Sequence, residues 1–224
     1  MYEQGQASGL VTIARYRGAF SGKFGIPRQS GLAPDLEGLL VFEPAFQVAQ
    51  ALRGLEGFSH IWLIWGFSEQ RGEGWSPTVR PPRLGGDKRV GVFASRSPNR
   101  PNPLGLSLVR LAGIRSEPGQ PLALLVLGAD LMDGSPVYDI KPYLPYADQA
   151  TGALSGYAEA PPEPVLQVDF PQPLLERFAP DARNGLLQAL ALDPRPAYQD
   201  DPQRVYGFLF QGKDVRFRVV GETL

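Results

Sequence analysis

Apolar positions along the chain come in short runs, each soon broken by glycine or proline. Leu10–Ala14 and Gly38–Phe42 predict strands. Between them, Arg15–Gly18 leads into Phe20–Gln29, where Gly18, Gly22 and Gly25 interrupt any period and predict a loop. Pro44 sits where a helix can begin without losing a donor, and Phe46, Val48, Ala49, Leu52 and Leu55 predict a helical face stopped near Gly54. Phe58–Phe67 is almost continuously apolar and rich in aromatics, which predicts a buried central strand. Residues 68–89 are polar and broken by glycine and proline, so they read as an excursion. Arg89–Ala94, Leu106–Ile114 and Leu122–Leu127 predict further strands, and Asp133-Gly134 marks a turn into one more, carrying Tyr138, Asp139, Lys141 and Tyr143.

Short strands at short spacing, with one early helix, predict a mainly β fold: a closed or nearly closed antiparallel β-barrel. The small, polar, proline-rich stretch 147–164 reads as a linker. The division expected is a barrel domain at 1–150, a linker at 151–164 and a small C-terminal α+β domain at 165–224. In that domain Val165–Phe170 predicts a strand, and Leu174–Phe178 and Asp181–Leu192 predict helices. Val205–Phe210 and Val215–Val220 predict a hairpin. A unit of about 60 residues is marginal alone and feasible when docked.

Composition agrees with a β-rich fold. The 224 residues are 43% hydrophobic and include 26 Gly and 23 Pro, which leaves little room for long helices. With no cysteine there is no disulfide framework and no thiolate metal site, and the single histidine, His60, argues against zinc. The start lacks the basic and apolar segments of a signal peptide, and no apolar run approaches the roughly 20 residues of a membrane span, so a soluble cytosolic protein is expected.

The net charge of −1 hides a split. Residues 71–116 hold nine basic and two acidic side chains, whereas residues from 117 onward hold eight basic and fifteen acidic. The first is a candidate anion or nucleic-acid footprint, or else a solvated loop balanced in space. The second argues against direct phosphate binding by the C-terminal domain.

The densest chemistry lies in Val90–Leu108, where Arg96, Asn99, Arg100, Pro101, Asn102, Pro103 and Gly105 follow a short strand. The prolines restrict their own φ and the residues before them, so the polar side chains are held without a helix beneath. Such a loop suits a polyanionic or strongly polar ligand; it is also what a rigid surface turn looks like. His60 lies among Phe58, Ile61 and Trp62, which suits a structural histidine better than a catalytic base. No Walker loop is present, and Gly72-Glu73-Gly74 runs towards a proline and opens no helix. A nucleotide-derived cofactor would therefore not be bound in the Rossmann manner. Three polar clusters remain: Pro27-Arg28-Gln29; Arg96 with Asn99–Pro103; and Asp133–Pro136 with Asp139 and Lys141. Asp139 and Lys141, two apart on a strand, share one face, as a functional pair or a plain surface ion pair.

These blocks, in this order, resemble the TrmO (TsaA/YaeB) family of tRNA methyltransferases. The matching text is Gly25–Gln29, Leu55–Trp62, Phe93–Ser107 and Leu131–Tyr143, and the resemblance covers about residues 8–147. It implies a barrel enzyme that uses S-adenosylmethionine to methylate N6 of N6-threonylcarbamoyladenosine at tRNA position 37, giving the m6t6A nucleoside. It also implies a homodimer with the cofactor near the subunit interface. Carried over by motif, cofactor contacts are expected from Pro27, Arg28, Gln29, Ser68, Glu69, Arg96, Leu106, Asp133, Gly134, Ser135 and Pro136. Asp139 or Asp133 is the candidate to take or orient the leaving proton, since a carboxylate can accept it. Lys141 and Tyr143 are candidates to hold the base, and Arg100 and Asn102 to shape the pocket or meet the tRNA. Arg15, Arg17, Lys23, Arg80, Arg83, Lys88 and Arg89 are candidates for tRNA phosphates. No metal is required. A non-catalytic RNA- or nucleotide-binding barrel and a small-molecule methyltransferase are the alternatives.

Overall fold

The computed structural model describes residues 9–68, 75–85, 87–159, 166–196 and 201–224. Six strands close a barrel: β1 (Ala14–Gly18), β2 (Glu37–Phe42), β3 (His60–Gly66), β6 (Leu104–Arg115), β7 (Ala123–Leu127) and β8 (Pro136–Pro142). The order around it is β1-β2-β7-β6-β3-β8, every pair is antiparallel, and β8 closes on β1 through Ala14↔Val137. Two short strands, β4 (Thr78–Val79) and β5 (Val90–Gly91), pair outside it.

Alternation builds the barrel core. Ile61, Leu63 and Trp65 of β3 point inward with Val109, Leu124, Val126, Leu40 and Val137, while His60, Trp62 and Ile64 point out. β1 begins where Leu10–Ala14 was expected to end. Its true period is Ala14, Tyr16 in and Arg15, Arg17 out, and the outward arginines disguised it as a loop. The helix expected after Pro44 is instead three separate 3₁₀ turns, at Pro44–Phe46, Ala49–Leu52 and Leu55–Gly57. Phe46 and Val48 stay exposed and Leu52 alone is buried in these turns, so no continuous apolar stripe rewards an α-helix there. The Arg89–Ala94 strand shrinks to β5 followed by a 3₁₀ turn at Val92–Ala94.

Beyond β8 come α1 (Pro145–Asp148), α2 (Gln172–Leu175), α3 (Pro180–Ala191), β9 (Tyr206–Phe210) and β10 (Lys213–Phe217). The last two form the expected hairpin. Residues 166–170 make one isolated bridge, Gln167↔Thr223, in place of a full strand. Leu186, Leu190, Phe208, Phe210 and Phe217 form a second core, but it is completed from the N-terminal half by Phe20, Phe24, Ala33 and Leu36. The excursion between β1 and β2 is thus clamped by the C-terminal unit. Gln211 N–H donates to the Ala19 carbonyl (2.7 Å), and the Gln188 amide bonds both the Asp35 amide and the Asp35 carboxylate (2.9 Å each). α3 approaches so closely at Gly185 that a Cβ there would stand 2.8 Å from Leu36 Cα. No helix is long and apolar enough to cross a membrane among the described residues.

Candidate functional site

β6 is longer than either neighbour, and that mismatch opens the site. Its residues 104–110 pair with β3 on one edge, while β7 takes the other edge from residue 110 onward. The first half of β6 therefore has an edge with no strand partner among the described residues. Phe67 N–H donates to the Pro103 carbonyl (3.1 Å) and Leu111 N–H to the Ser59 carbonyl (2.8 Å), so odd-numbered residues bond towards β3. Antiparallel alternation then turns the peptide groups of Leu106 to the open side. Against that edge lies a cavity of about 670 Å³, walled by the Lys23–Gln29 loop, the Arg96–Asn102 segment and residues 130–135. Its size falls within the range of small-molecule and cofactor sites.

The floor is a buried polar chain. Trp65 covers Gly105, where any Cβ would run into the indole. The indole Nε1 donates to Ser107 Oγ (2.9 Å), and that hydroxyl donates to Asp130 Oδ1 (2.5 Å). Ser107 is 1% exposed. Burial pushes the Asp130 carboxyl above the ordinary aspartate value, outweighing the Ser107 bond, the backbone bonds and the nearby Arg96 charge. On the opposite wall Arg96 Nη1 donates to Gln29 Oε1 (2.5 Å), and Gln29 Nε2 donates to the Arg28 carbonyl (2.5 Å). Arg100 is spent on the loop itself, bonding the Ser95 and Ser97 carbonyls at 3.0 and 3.4 Å and lying over the Phe93 ring. The proline-braced loop is thus held by its own arginine, while Arg96 reaches the cavity.

The structure brings Pro27, Arg28, Gln29, Ser68, Arg96, Leu106 and Ser135 to this cavity, together with Lys23, Arg100 and Asn102. Glu69 lies outside the described residues. Asp133, Gly134 and Pro136 are not among its lining residues. Asp133 Oδ1 accepts from Gly18 N–H (3.1 Å) with Arg17 at 3.8 Å, and Gly134 occupies the left-handed turn (φ 80°) that sends the chain into β8. Arg15 bonds Glu43 (2.8 Å) and the Gly134 carbonyl (3.4 Å), so both Arg15 and Arg17 brace that turn. Asp139 and Lys141 pair with each other (3.0 Å) on the outside of the barrel, across from Ile64 and Trp62. Tyr143 packs beside Trp62 and His60, with ring centroids 6.2 and 6.4 Å apart. Arg89 bonds Thr78 Oγ1 (2.8 Å), Arg83 and Lys88 are exposed, and Arg80 lines a second cavity.

Sequence reasoning missed Trp65, Phe67, Ser107, Asp130 and Met132 at the cavity. Two signals were available. Ser107 is a hydroxyl at an inward position of an otherwise apolar alternation, and Asp130 is an acid enclosed by Gly128, Ala129, Leu131 and Met132. Among the described residues no group of three or more His, Cys, Asp or Glu could hold a metal.

Comparison with known proteins covers nearly the whole chain. The family model for the tRNA-methyltransferase O N-terminal domain matches residues 15–149, and that for the TrmO C-terminal domain matches residues 163–224. The tRNA (adenine(37)-N6)-methyltransferase of Escherichia coli K12 is 42% identical over 216 residues, 92% of this chain and 91% of the relative. The protein of the same name from Eikenella corrodens is 50% identical over 163 residues, 72% of this chain and 91% of the relative. The crystal structure of TrmO from Pseudomonas aeruginosa superposes with a TM-score of 0.78 at 34% identity, covering 97% of this chain and 95% of that one.

Proposed function

The chain belongs to the TrmO family, and we propose that it is the tRNA methyltransferase its relatives are named for. It is an S-adenosylmethionine-dependent enzyme that methylates N6 of adenosine 37 in tRNA. The observation that carries this reading is the cavity at the open edge of β6, where Arg96 and a buried carboxylate lie by a strand edge that has no strand partner among the described residues. Asp130 and Arg96 are neighbours of opposite charge, which suits an amino-acid end bearing both an ammonium and a carboxylate. The Leu106 peptide group offers a donor and an acceptor side by side, which suits the edge of an adenine. Trp65, Phe67, Met132 and Leu104 supply apolar walls for what lies between.

Bound S-adenosylmethionine supplies a methyl group on a sulfonium, a leaving group that needs no metal and no covalent nucleophile. The contribution of the chain is to bind, orient and exclude water. Pro27, Arg28, Gln29, Ser68, Arg96, Leu106 and Ser135 hold the cofactor on this reading, with Asp130 added as the partner of its cationic end. The substrate nucleoside is N6-threonylcarbamoyladenosine, whose carbamoyl group makes the N6 proton easier to remove.

The proposed working form is a homodimer in the cytoplasm, where tRNA is found. The outer face of β3, β6 and β8 carries Trp62, Ile64 and Leu106, the last 57% exposed, beside Asp139 and Lys141. Packing two such faces together would cover this apolar surface. It would also bring Asp139, Lys141 and Tyr143 of one copy towards the cavity of the other, where Asp139 could serve the leaving proton. Residues 1–150 form the catalytic unit on this reading, with 151–164 as linker and 165–224 as the unit that braces the Phe20–Gln29 loop. Incubating the purified protein with S-adenosylmethionine and tRNA carrying the modified adenosine, then digesting to nucleosides for mass analysis, tests it. One methyl added at N6 of nucleoside 37 supports the reading, and an unmethylated nucleoside contradicts it.

A further inference from the structure

Outside the barrel, β4 and β5 form a short ribbon that ends in an aromatic pair. Thr78 pairs with Gly91 and Val79 with Val90, and Val92 N–H donates to the Pro77 carbonyl (3.0 Å), so the ribbon runs on towards Trp75 and Phe93. The two rings are near-parallel (24°) with centroids 6.4 Å apart. Trp75 is 51% exposed and Phe93 74% exposed. A single exposed apolar side chain is ordinary, but two large rings side by side in water call for a partner.

Phe93 is held out rather than loosely placed. It is the middle residue of the 3₁₀ turn Val92–Ala94, and Val92 before it is buried. The Val92 carbonyl accepts from the Ser95 N–H (3.1 Å) and from the Ser95 hydroxyl (2.8 Å). The Ala94 carbonyl accepts from the Tyr157 hydroxyl (3.1 Å). With both neighbours anchored, the backbone that presents this ring is already ordered, which lowers the cost of binding on it. Arg100 lies over the same ring, 5.9 Å from its centroid, and also lines the cavity at the β6 edge. The aromatic pair thus borders that cavity through Arg100.

We infer that Trp75 and Phe93 form a stacking platform for an unpaired base of the RNA, next to the methylated nucleotide. The inference rests on the tRNA reading above. Every base has a face that can stack on a ring, so such a platform needs no particular sequence. The charges nearby favour RNA over protein. Arg100 bonds the Ser95 and Ser97 carbonyls and Arg89 bonds the Thr78 hydroxyl, all neutral groups that leave both charges in place. That suits a polyanion. It does not suit a second copy of the chain seated on the same patch, whose own Arg89 and Arg100 would approach these across an isologous contact. The rings, not a phosphate contact, carry the binding.

Phe93→Leu keeps an apolar side chain and removes the ring, whereas Phe93→Tyr keeps the ring. Trp75→Leu is the counterpart on the other residue of the pair. Binding of a fluorescent anticodon stem-loop RNA is followed by anisotropy over a range of salt, S-adenosylmethionine binding by calorimetry, and molecular mass by light scattering. Phe93→Leu and Trp75→Leu are each expected to weaken RNA binding about tenfold, and Phe93→Tyr to stay within about twofold of wild type. The salt slope should not move, because stacking releases no counterions. Cofactor affinity, melting temperature and mass should match wild type. RNA affinity equal to wild type in both Leu variants would overturn the inference. So would a loss of RNA binding that comes with a fall in mass or melting temperature, since the rings would then serve the assembly or the fold. Phe93→Tyr weakened as much as Phe93→Leu would overturn it too. The reading of the function fails by a different sign: wild-type protein that binds RNA through the rings and adds no methyl.

Discussion

Replacing Asp130 by Asn removes a charge and changes little else. The Asn side chain is the same size, and its oxygen can still accept from Ser107, so the Trp65–Ser107 chain survives. What is lost is a charge-assisted contact to the cationic end of the cofactor, worth about 1.5–3 kcal/mol, or roughly 10- to 150-fold in Kd. Titration calorimetry with S-adenosylmethionine reads this directly. The pH dependence adds a signature. Burial raises the carboxyl above its ordinary value, so wild-type affinity should fall on acidification earlier than an ordinary aspartate would allow, and the Asn variant should lack that step. Stability without cofactor should move the other way. A carboxyl raised in the folded state binds more protons folded than unfolded, so wild-type stability declines as pH rises from the ordinary aspartate value through the raised one. Above that window the wild type bears the full cost of an ionised buried carboxylate, and the Asn variant should be at least as stable. An unchanged Kd would refute the assignment of Asp130 to the cofactor. A variant that melts several degrees lower at neutral pH would show that the carboxylate serves the fold.

Gly185→Ala should cost about 1–3 kcal/mol in urea unfolding, because its Cβ would stand 2.8 Å from Leu36 Cα and α3 must move off the β1–β2 excursion. Tyr206→Phe should be neutral or stabilising by about 1 kcal/mol in thermal or denaturant unfolding, since the buried Tyr206 hydroxyl has no hydrogen-bond partner among the described residues. Ile64→Asp should convert the proposed dimer to a monomer in light scattering, by placing a charge in the outer face of β3; a monomeric wild type would refute the proposed interface.

The barrel was legible because its strands carry a clean period of two and its turns carry glycine and proline. β3 and β7 read correctly as apolar runs, and the Asp133-Gly134 turn sits where its residues demand. β1 was misplaced because arginines on its outer face look like a loop when the partner strand is unknown. The helix after Pro44 failed for the opposite reason: its apolar residues are spaced correctly, but only Leu52 and Leu55 reach the barrel core while Phe46 and Val48 stay exposed. At the site, Pro27–Gln29 and Arg96 stood out as polar residues on rigid loops. Trp65, Ser107 and Asp130 did not, because their meaning depends on β6 outrunning β7, a register that no local pattern encodes.

The most direct test of the central claim is position-resolved mass analysis of tRNA carrying N6-threonylcarbamoyladenosine, after reaction with the purified protein and isotopically labelled S-adenosylmethionine. The expected result is one labelled methyl on N6 of nucleoside 37, lost in Arg96→Ala. Label at another nucleoside, or no label at all in the wild type, would contradict it.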